Sequence, residues 1–258
     1  MPLDGPDQSQ RSSPAKFLTR RLEGFGPLTP NDLALVLSTC TRMREHPAGA
    51  PLSGHKRPYG HFIVSGWVGR LRALADGRRQ VLTTAIPGEF VGRHPNPLIE
   101  TTTIALTDVV TLDIGPLLEA LERETSTHAS LAMALVQVQQ AEEAQLAEQV
   151  LRLGRRTASE RMAHWFLEIH QRLESAGLTQ DYSFPMPLTQ DLIADVLGLS
   201  VVHVNRTLQQ LRRAGLIELS RGYVTLRQAS RLRAITEFGD CGSSFDDQPS
   251  QRVVRAQS

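Results

Sequence analysis

Apolar and polar positions divide the chain into three stretches of different rhythm. From Phe17 to about Thr111, short apolar runs are separated by Gly, Pro and Asp-Gly, the punctuation of β structure. HFIVSGWVGRLRAL and RRQVLTTAI flank Ala75-Asp76-Gly77, which predicts a hairpin whose Asp-Gly supplies the positive φ of its turn. Pro87-Gly88 marks the next turn, and TTTIALTDVVTLDI gives two further β-branched runs joined around Thr107-Asp108. An antiparallel roll or barrel is expected.

Helical rhythm takes over after Gly115-Pro116. Leu118 to Leu153 contains neither Gly nor Pro and is rich in Ala, Leu, Glu and Gln, which predicts one helix of unusual length. Leu131, Leu135 and Val138 recur at three- and four-residue steps, as do Leu146, Val150 and Leu153. Such a stripe packs either along its own domain or against the same helix of a second copy. Polar residues 139–143 interrupt it, and Gln145 or Gln149 could fix the register of a dimer seam; the pattern does not settle which face meets a partner. Gly154 is expected to break the helix. The next helix places Met162, Trp165, Phe166, Ile169 and Leu173 on one face as core, and Gly177 ends it.

The third stretch is PLTQDLIADVLGLSVVHVNRTLQQLRRAGLIELSRGYVTL, Pro187 to Leu226. Thr189 is suited to cap a helix Gln190 to Leu197, with Leu192, Ile193, Val196 and Leu197 inward. Gly198 permits a sharp turn, Leu199 plugs the space between helices, and Ser200 caps a second helix. On that helix Val201, Val204, Leu208 and Leu211 form the inner stripe, so His203, Asn205, Arg206, Gln209 and Gln210 turn outward, with Val202 near the exposed start. Leu216-Ile217-Glu218-Leu219 and Tyr223-Val224-Thr225-Leu226 alternate around Ser220-Arg221-Gly222, a two-stranded wing with a basic tip. Helix, glycine turn, helix and wing together present a second helix to a major groove.

Charge alters this picture only locally. The 28 basic and 27 acidic side chains nearly cancel, so whole-chain charge argues for no particular partner. Ser200 to Gly215, by contrast, holds Arg206, Arg212 and Arg213 and no acid, which suits phosphate. Arg206 can donate two bonds to a guanine, Asn205 can pair with adenine or phosphate, and His203 can donate from a ring nitrogen. Thr189 and Gln190, at the start of the first helix, are expected on the phosphate backbone. For Arg221 a backbone contact and a mere cap on the helical core stand equal.

Little in the remaining sequence adds chemistry. Residues 1–15 and 233–258 are read as tails, being rich in polar and small residues. Cys40 and Cys241 stand in no metal-ligand or disulfide spacing. No run approaches a membrane span or a secretory signal, so a reducing cytoplasmic setting is expected. Ser65-Gly66 near His61 and Glu89 is the one faint hint of an enzyme, without any nucleophile-elbow, phosphate-loop or metal spacing beside it.

The residues LTQDLIADVLGLSVVHVNRTLQQLRRAGLI resemble the helix-turn-helix of the CRP/FNR family of bacterial transcription regulators, in its FixK-like branch. The resemblance extends through LGRRTASERMAHWFLEIHQRL and SGWVGRLRALADGRRQVLTTAIPGEFVG, and covers about Phe17 to Leu232, weakly before Gly49 and strongly after Gly154. It implies an α+β architecture: a cyclic-nucleotide-binding-like β-roll over 16–117, a long dimerisation helix over 118–153 and a winged helix-turn-helix DNA-binding domain over 154–232. It further implies a homodimer on a palindromic promoter site, contacts with RNA polymerase, no membrane partner, and Arg206 in the place of the family's guanine-reading arginine. Val202 stands where many relatives carry glutamate, and this leaves the adjoining base preference open.

The sensor half departs further from the family pattern. Cyclic-nucleotide binders follow the Gly-Glu turn with an arginine for the cyclic phosphate, whereas here Gly88-Glu89 leads to Thr101-Thr102-Thr103 at about that place. A buried phosphate would lack its counter-charge, with Arg93 as the substitute. Gly88, Glu89, Arg93, Thr101 and Thr102 are therefore the candidate effector pocket. Cys40 alone cannot hold an iron-sulfur cluster, and His46, His55, His61 and His94 are the available haem ligands. No cofactor is expected.

Overall fold

The computed structural model describes residues 13–52, 60–92, 101–179 and 181–238. It opens with two helices, α1 (Pro14–Glu23) and α2 (Pro30–Thr39), where the sequence rhythm predicted β structure and, up to Ala15, a tail. Each helix has Pro at its start, and Thr29 and Asp32 form a reciprocal capping box on α2. Phe17, Leu18 and Leu22 bury one face of α1 against the roll, with Phe17 edge-on to Phe62 at 5.1 Å.

Among the described residues seven strands form the roll: β1 (Met43–His46), β2 (His61–Ser65), β3 (Val68–Ala73), β4 (Arg79–Ala85), β5 (Phe90–Val91), β6 (Thr102–Ala105) and β7 (Val109–Asp113). They make two antiparallel sheets, ordered β1-β7-β2-β5 and β4-β3-β6. Strands β3 and β4 join at the expected Asp76-Gly77 hairpin, with Gly77 at φ +84°. The run HFIVSGWVGRLRAL changes sheet at Gly66, whose φ is +82° and where an added Cβ would lie 2.1 Å from the Asp108 carbonyl oxygen. Thr107-Asp108 is the facing corner, because β6 pairs with β3 while β7 pairs with β1 and β2.

The helix expected over Leu118–Leu153 is two helices, α3 (Gly115–Arg123) and α4 (Ala129–Arg155). The break at residues 124–128 has a local and a distant cause. Thr125 Oγ1 donates to the Leu121 carbonyl at 2.5 Å, the back-bonding by which short polar side chains compete with helix continuation. His128 Nδ1 meets the buried Asp32 Oδ1 at 2.8 Å, fixing the start of α4 against α2. Gly154 lies inside α4 and does not break it; the chain turns at Arg156, where Thr157 and Glu160 form the capping box of α5 (Ala158–Ser175).

The apolar stripe on α4 also divides. Leu131, Leu135 and Val138 are buried in their own chain, in one cluster with Phe17, Leu18, Phe62 and Leu117. Val150 is 66% exposed. The expected core of α5, Met162, Trp165, Phe166, Ile169 and Leu173, is buried throughout.

Beyond α5 come β8 (Ser183–Pro185), α6 (Gln190–Leu197), α7 (Val201–Arg213), β9 (Ile217–Ser220), β10 (Tyr223–Leu226) and α8 (Ala229–Thr236). The wing has a third strand that the alternation did not reveal, in the order β8-β10-β9. The fully buried Leu232 and the contact of Phe238 with the His164 ring carry ordered structure past residue 233, where a tail was expected. Residues 239–258, including Cys241, lie outside the described residues. One hydrophobic cluster joins Trp67, Leu71, Val81 and Ile86 of the roll to Trp165, Val196 and Leu197.

Candidate nucleic-acid interface

The helix pair α6–α7 is built from local signals. Thr189 Oγ1 accepts from the Leu192 amide, and Ser200 Oγ accepts from the His203 amide, each at 3.3 Å, which satisfies a free donor at each helix start. Gly198 ends α6 in the left-handed conformation at φ +62°. Ile193, Val196 and Leu197 of α6 and Val204, Leu208 and Leu211 of α7 are buried between the helices and α5. Val201 was expected among them but is 39% exposed; the plug between the helices is Leu199, which packs on the core.

The outward face of α7 carries the side chains that its rhythm placed there. Val202, His203, Asn205, Arg206 and Gln210 are exposed, and Gln209 is half-buried. Thr189, Ser200 and Arg221 are exposed, and Gln190 is half-buried. Side-chain hydrogen bonds on this surface include Ser200 Oγ 3.2 Å from His203 Nδ1, and Asn205 Nδ2 donating to Gln190 Oε1 at 3.3 Å. The second bond ties the two helices together through side chains that both face outward. Among the described residues Arg206, Arg212, Arg213 and Arg221 form no salt bridge. Four guanidinium groups are therefore free for an anionic partner.

The wing tip is a two-residue turn, Arg221-Gly222, with φ of +49° and +80°. Both central residues of a type I′ turn require positive φ, and an arginine there is held in a conformation that costs about 1–2 kcal/mol.

The reading unit is docked on the roll through Arg79, Gln80 and Arg161, which the sequence did not single out, and through Gln149, which is buried in its own chain rather than offered to a dimer seam. Arg79 of β4 pairs with Asp195 at 2.6 Å. Gln80 Nε2 donates to the Asp195 and Val196 carbonyls at 2.9 and 3.2 Å, and Gln149 Nε2 donates to Val196 at 2.8 Å. Arg161 Nη1 reaches the Leu197 carbonyl at 3.3 Å. The last carbonyls of α6, which a helix leaves without partners, are thus capped by the roll, α4 and α5. Sequence pattern offers no signal for bonds between residues 36 to 116 positions apart.

A cavity of about 630 Å³ lies between the roll and α4. Gly88, Glu89 and Thr101 line it, Thr102 is exposed and does not, and Arg93 lies outside the described residues. Arg70, which sequence reasoning overlooked, also lines the cavity, and its Nε is buried without a hydrogen-bond partner among the described residues. The Glu89 carboxylate is already engaged: Arg172 donates Nε to Oε1 and Nη2 to Oε2, and the Ile86 amide donates to Oε2. Of the histidines weighed as haem ligands, His46 and His61 both contact Thr111 Oγ1, at 3.1 and 3.3 Å; His55 and His94 lie outside the described residues. Burial raises the Cys40 thiol to about 11. Ser65 is buried within β2.

Taken together, an antiparallel roll, a long helix and a docked helix pair with a free basic face and a wing define a DNA-binding winged helix-turn-helix protein. Residues 160–235 match a family model described as the Crp-like helix-turn-helix domain. The chain is 30% identical to the nitrogen fixation regulation protein FixK of Azorhizobium caulinodans, over 68% of this chain and 70% of that protein. It is 29% identical to the transcriptional activator protein FnrL of Cereibacter sphaeroides, over 76% and 80%. The structure of FixK2 from Bradyrhizobium japonicum superposes with a TM-score of 0.65 at 26% identity, covering 75% of this chain and 96% of that one. The chain belongs to the CRP/FNR family, in its FixK-like branch, and is a DNA-binding transcription regulator; the family is not one of enzymes.

Proposed function

We propose that the protein acts as a homodimer on a palindromic promoter site, with one α7 in the major groove of each half-site about one helical turn apart. The observation that carries this reading is the acid-free outward face of α7, where Arg206 stands unpaired beside Asn205 and His203. Arg206 reads a guanine, Asn205 and His203 take adjoining base edges or phosphate, and Thr189, Gln190, Ser200, Gln209 and Arg221 hold the backbone. A second copy is supported by α4, on which Met133, Val136, Ala147, Val150 and Leu151 are exposed at helical spacing away from the buried stripe. The protein then works in the cytoplasm, needs no bound cofactor, and acts on transcription through RNA polymerase. Arg206→Ala should lose about 1–3 kcal/mol of discrimination at one base pair per half-site. Unchanged specificity in a competition binding assay would count against the assignment.

A second reading, an effector-gated regulator of the same family, is favoured by the cavity and the unsatisfied Arg70 Nε. Titration calorimetry with cyclic nucleotides and an absorption spectrum of freshly purified protein separate the two. Heat or a haem band selects the gated reading, and neither leaves a constitutive binder.

A further inference from the structure

We propose that Val202 makes this protein prefer a thymine, recognised through its 5-methyl group, at the base pair adjoining the guanine read by Arg206 in each half-site. The inference rests on the assignment of α7 as the DNA-reading helix. At 68% exposed, Val202 is the most exposed large apolar side chain among the described residues. It occupies the second position of α7, the end of a recognition helix that lies deepest against base edges. Exposed Val201 precedes it, so the tip of α7 is an apolar knob on an otherwise polar and basic face.

Geometry sets which base pair it meets. Val202 and Arg206 are four residues apart and share one helix face, with Cβ atoms about 5–6 Å apart. Successive base pairs rise by about 3.4 Å, so that separation spans between one and two steps, and the long, flexible Arg206 side chain can take the guanine of the neighbouring step. Gln209 and Arg213 continue the same stripe toward the C-terminal end of the helix. The flanking polar side chains are already oriented, His203 by Ser200 and Asn205 by Gln190.

Chemistry then selects the base. A carboxylate at this position could accept a bond from the cytosine N4 amino group, whereas an isopropyl group neither donates nor accepts. A cytosine or adenine there would lose water from its amino group without gaining a partner, which is unfavourable. The thymine C5-methyl is the apolar group that the major groove offers. Burying it against Val202 removes about one methyl group from water, about 0.8 kcal/mol, or about fourfold in affinity per half-site.

The test begins with selection of a preferred duplex from a random pool by the purified full-length protein. The thymine next to the selected guanine is then replaced by deoxyuridine, which removes the methyl alone. Wild type should bind the uracil duplex about fourfold more weakly per half-site, and Val202→Ala, which offers a smaller apolar contact, should show a smaller difference between the thymine and uracil duplexes. A selected site without thymine at that step, or one indifferent to uracil, overturns the inference while leaving the reading helix in place. Failure to enrich any duplex would instead remove the DNA-reading assignment on which it rests.

Discussion

Arg172 of α5 grips Glu89 in the turn between β4 and β5, Nε to Oε1 at 2.8 Å and Nη2 to Oε2 at 2.5 Å. The same guanidinium donates to Glu168 Oε1 at 2.9 Å and to the Thr84 carbonyl at 2.5 Å. Burial disfavours its charge, but the two carboxylates outweigh that penalty and raise its pKa. The cation is therefore fixed between the roll and the helix that carries the reading unit.

Removing Glu89 leaves Arg172 buried with one carboxylate fewer, the situation in which a broken buried pair costs about 3–5 kcal/mol. Glu89→Ala should sit at the low end of that range, because Glu168 remains. Urea denaturation measures the loss; a change within about 0.5 kcal/mol would show that the pair does not hold the two parts together.

Mild acid should destabilise the fold. Burial, then the neighbouring His46, pushes His61 down to about 4; burial, then Arg152 and Arg156, pushes His164 down to about 3. Both histidines are neutral in the folded chain, while in the unfolded chain they take up protons near pH 6.5. Their contribution is complete above about pH 6.5 and falls with decreasing pH through about 4 for His61 and about 3 for His164, by up to about 1.4 kcal/mol per pH unit for each group. Denaturation midpoints at pH 7 and pH 5 check the sign, and His61→Asn should flatten the dependence.

The strained wing tip predicts opposite effects on stability and binding. Arg221→Asn places a residue that tolerates the left-handed conformation at φ +49°, so stability should rise by about 0.5–1 kcal/mol. If Arg221 touches phosphate, DNA affinity should fall about equally on all sequences, with a salt dependence shallower by about one charge per half-site. Gains in both would mean that the wing arginine does not reach the backbone.

The exposed face of α4 predicts where copies meet. Val150→Asp puts a charge into the proposed seam at a position 66% exposed in the single chain, so the fold should survive while the dimer dissociates. Sedimentation velocity should then give a monomer with unchanged circular dichroism, and binding to a palindromic duplex should fall. A persistent dimer would move the seam elsewhere.

The parts of the molecule that were legible in the sequence are those fixed by neighbours in the chain. Thr189, Gly198 and Ser200 cap and turn α6 and α7 with groups within three or four residues, so bounds and outward face could be read directly. The Thr29/Asp32 capping box of α2 is equally local, but the Gly and Pro around it carry the punctuation of β structure as well. The break before α4 depends on His128 meeting Asp32, 96 positions away, and Thr-Ser-Thr alone did not outweigh the helix-forming composition. Periodicity found the stripe of Leu131, Leu135 and Val138 but could not tell a partner's helix from the roll of the same chain. Arg70 and Arg172 carry no motif; their roles come from what the fold brings beside them.

The cluster that runs from Trp67 through Trp165 to Leu197 ignores the seam that sequence suggests near Gly154. A fragment excised there would surrender the roll side chains that cover Trp165 and the caps on the α6 carbonyls. Sensor-like half and reading half should therefore melt as one unit, and swapping the reader onto another member's roll means transplanting the Arg79, Gln80 and Gln149 bonds with it.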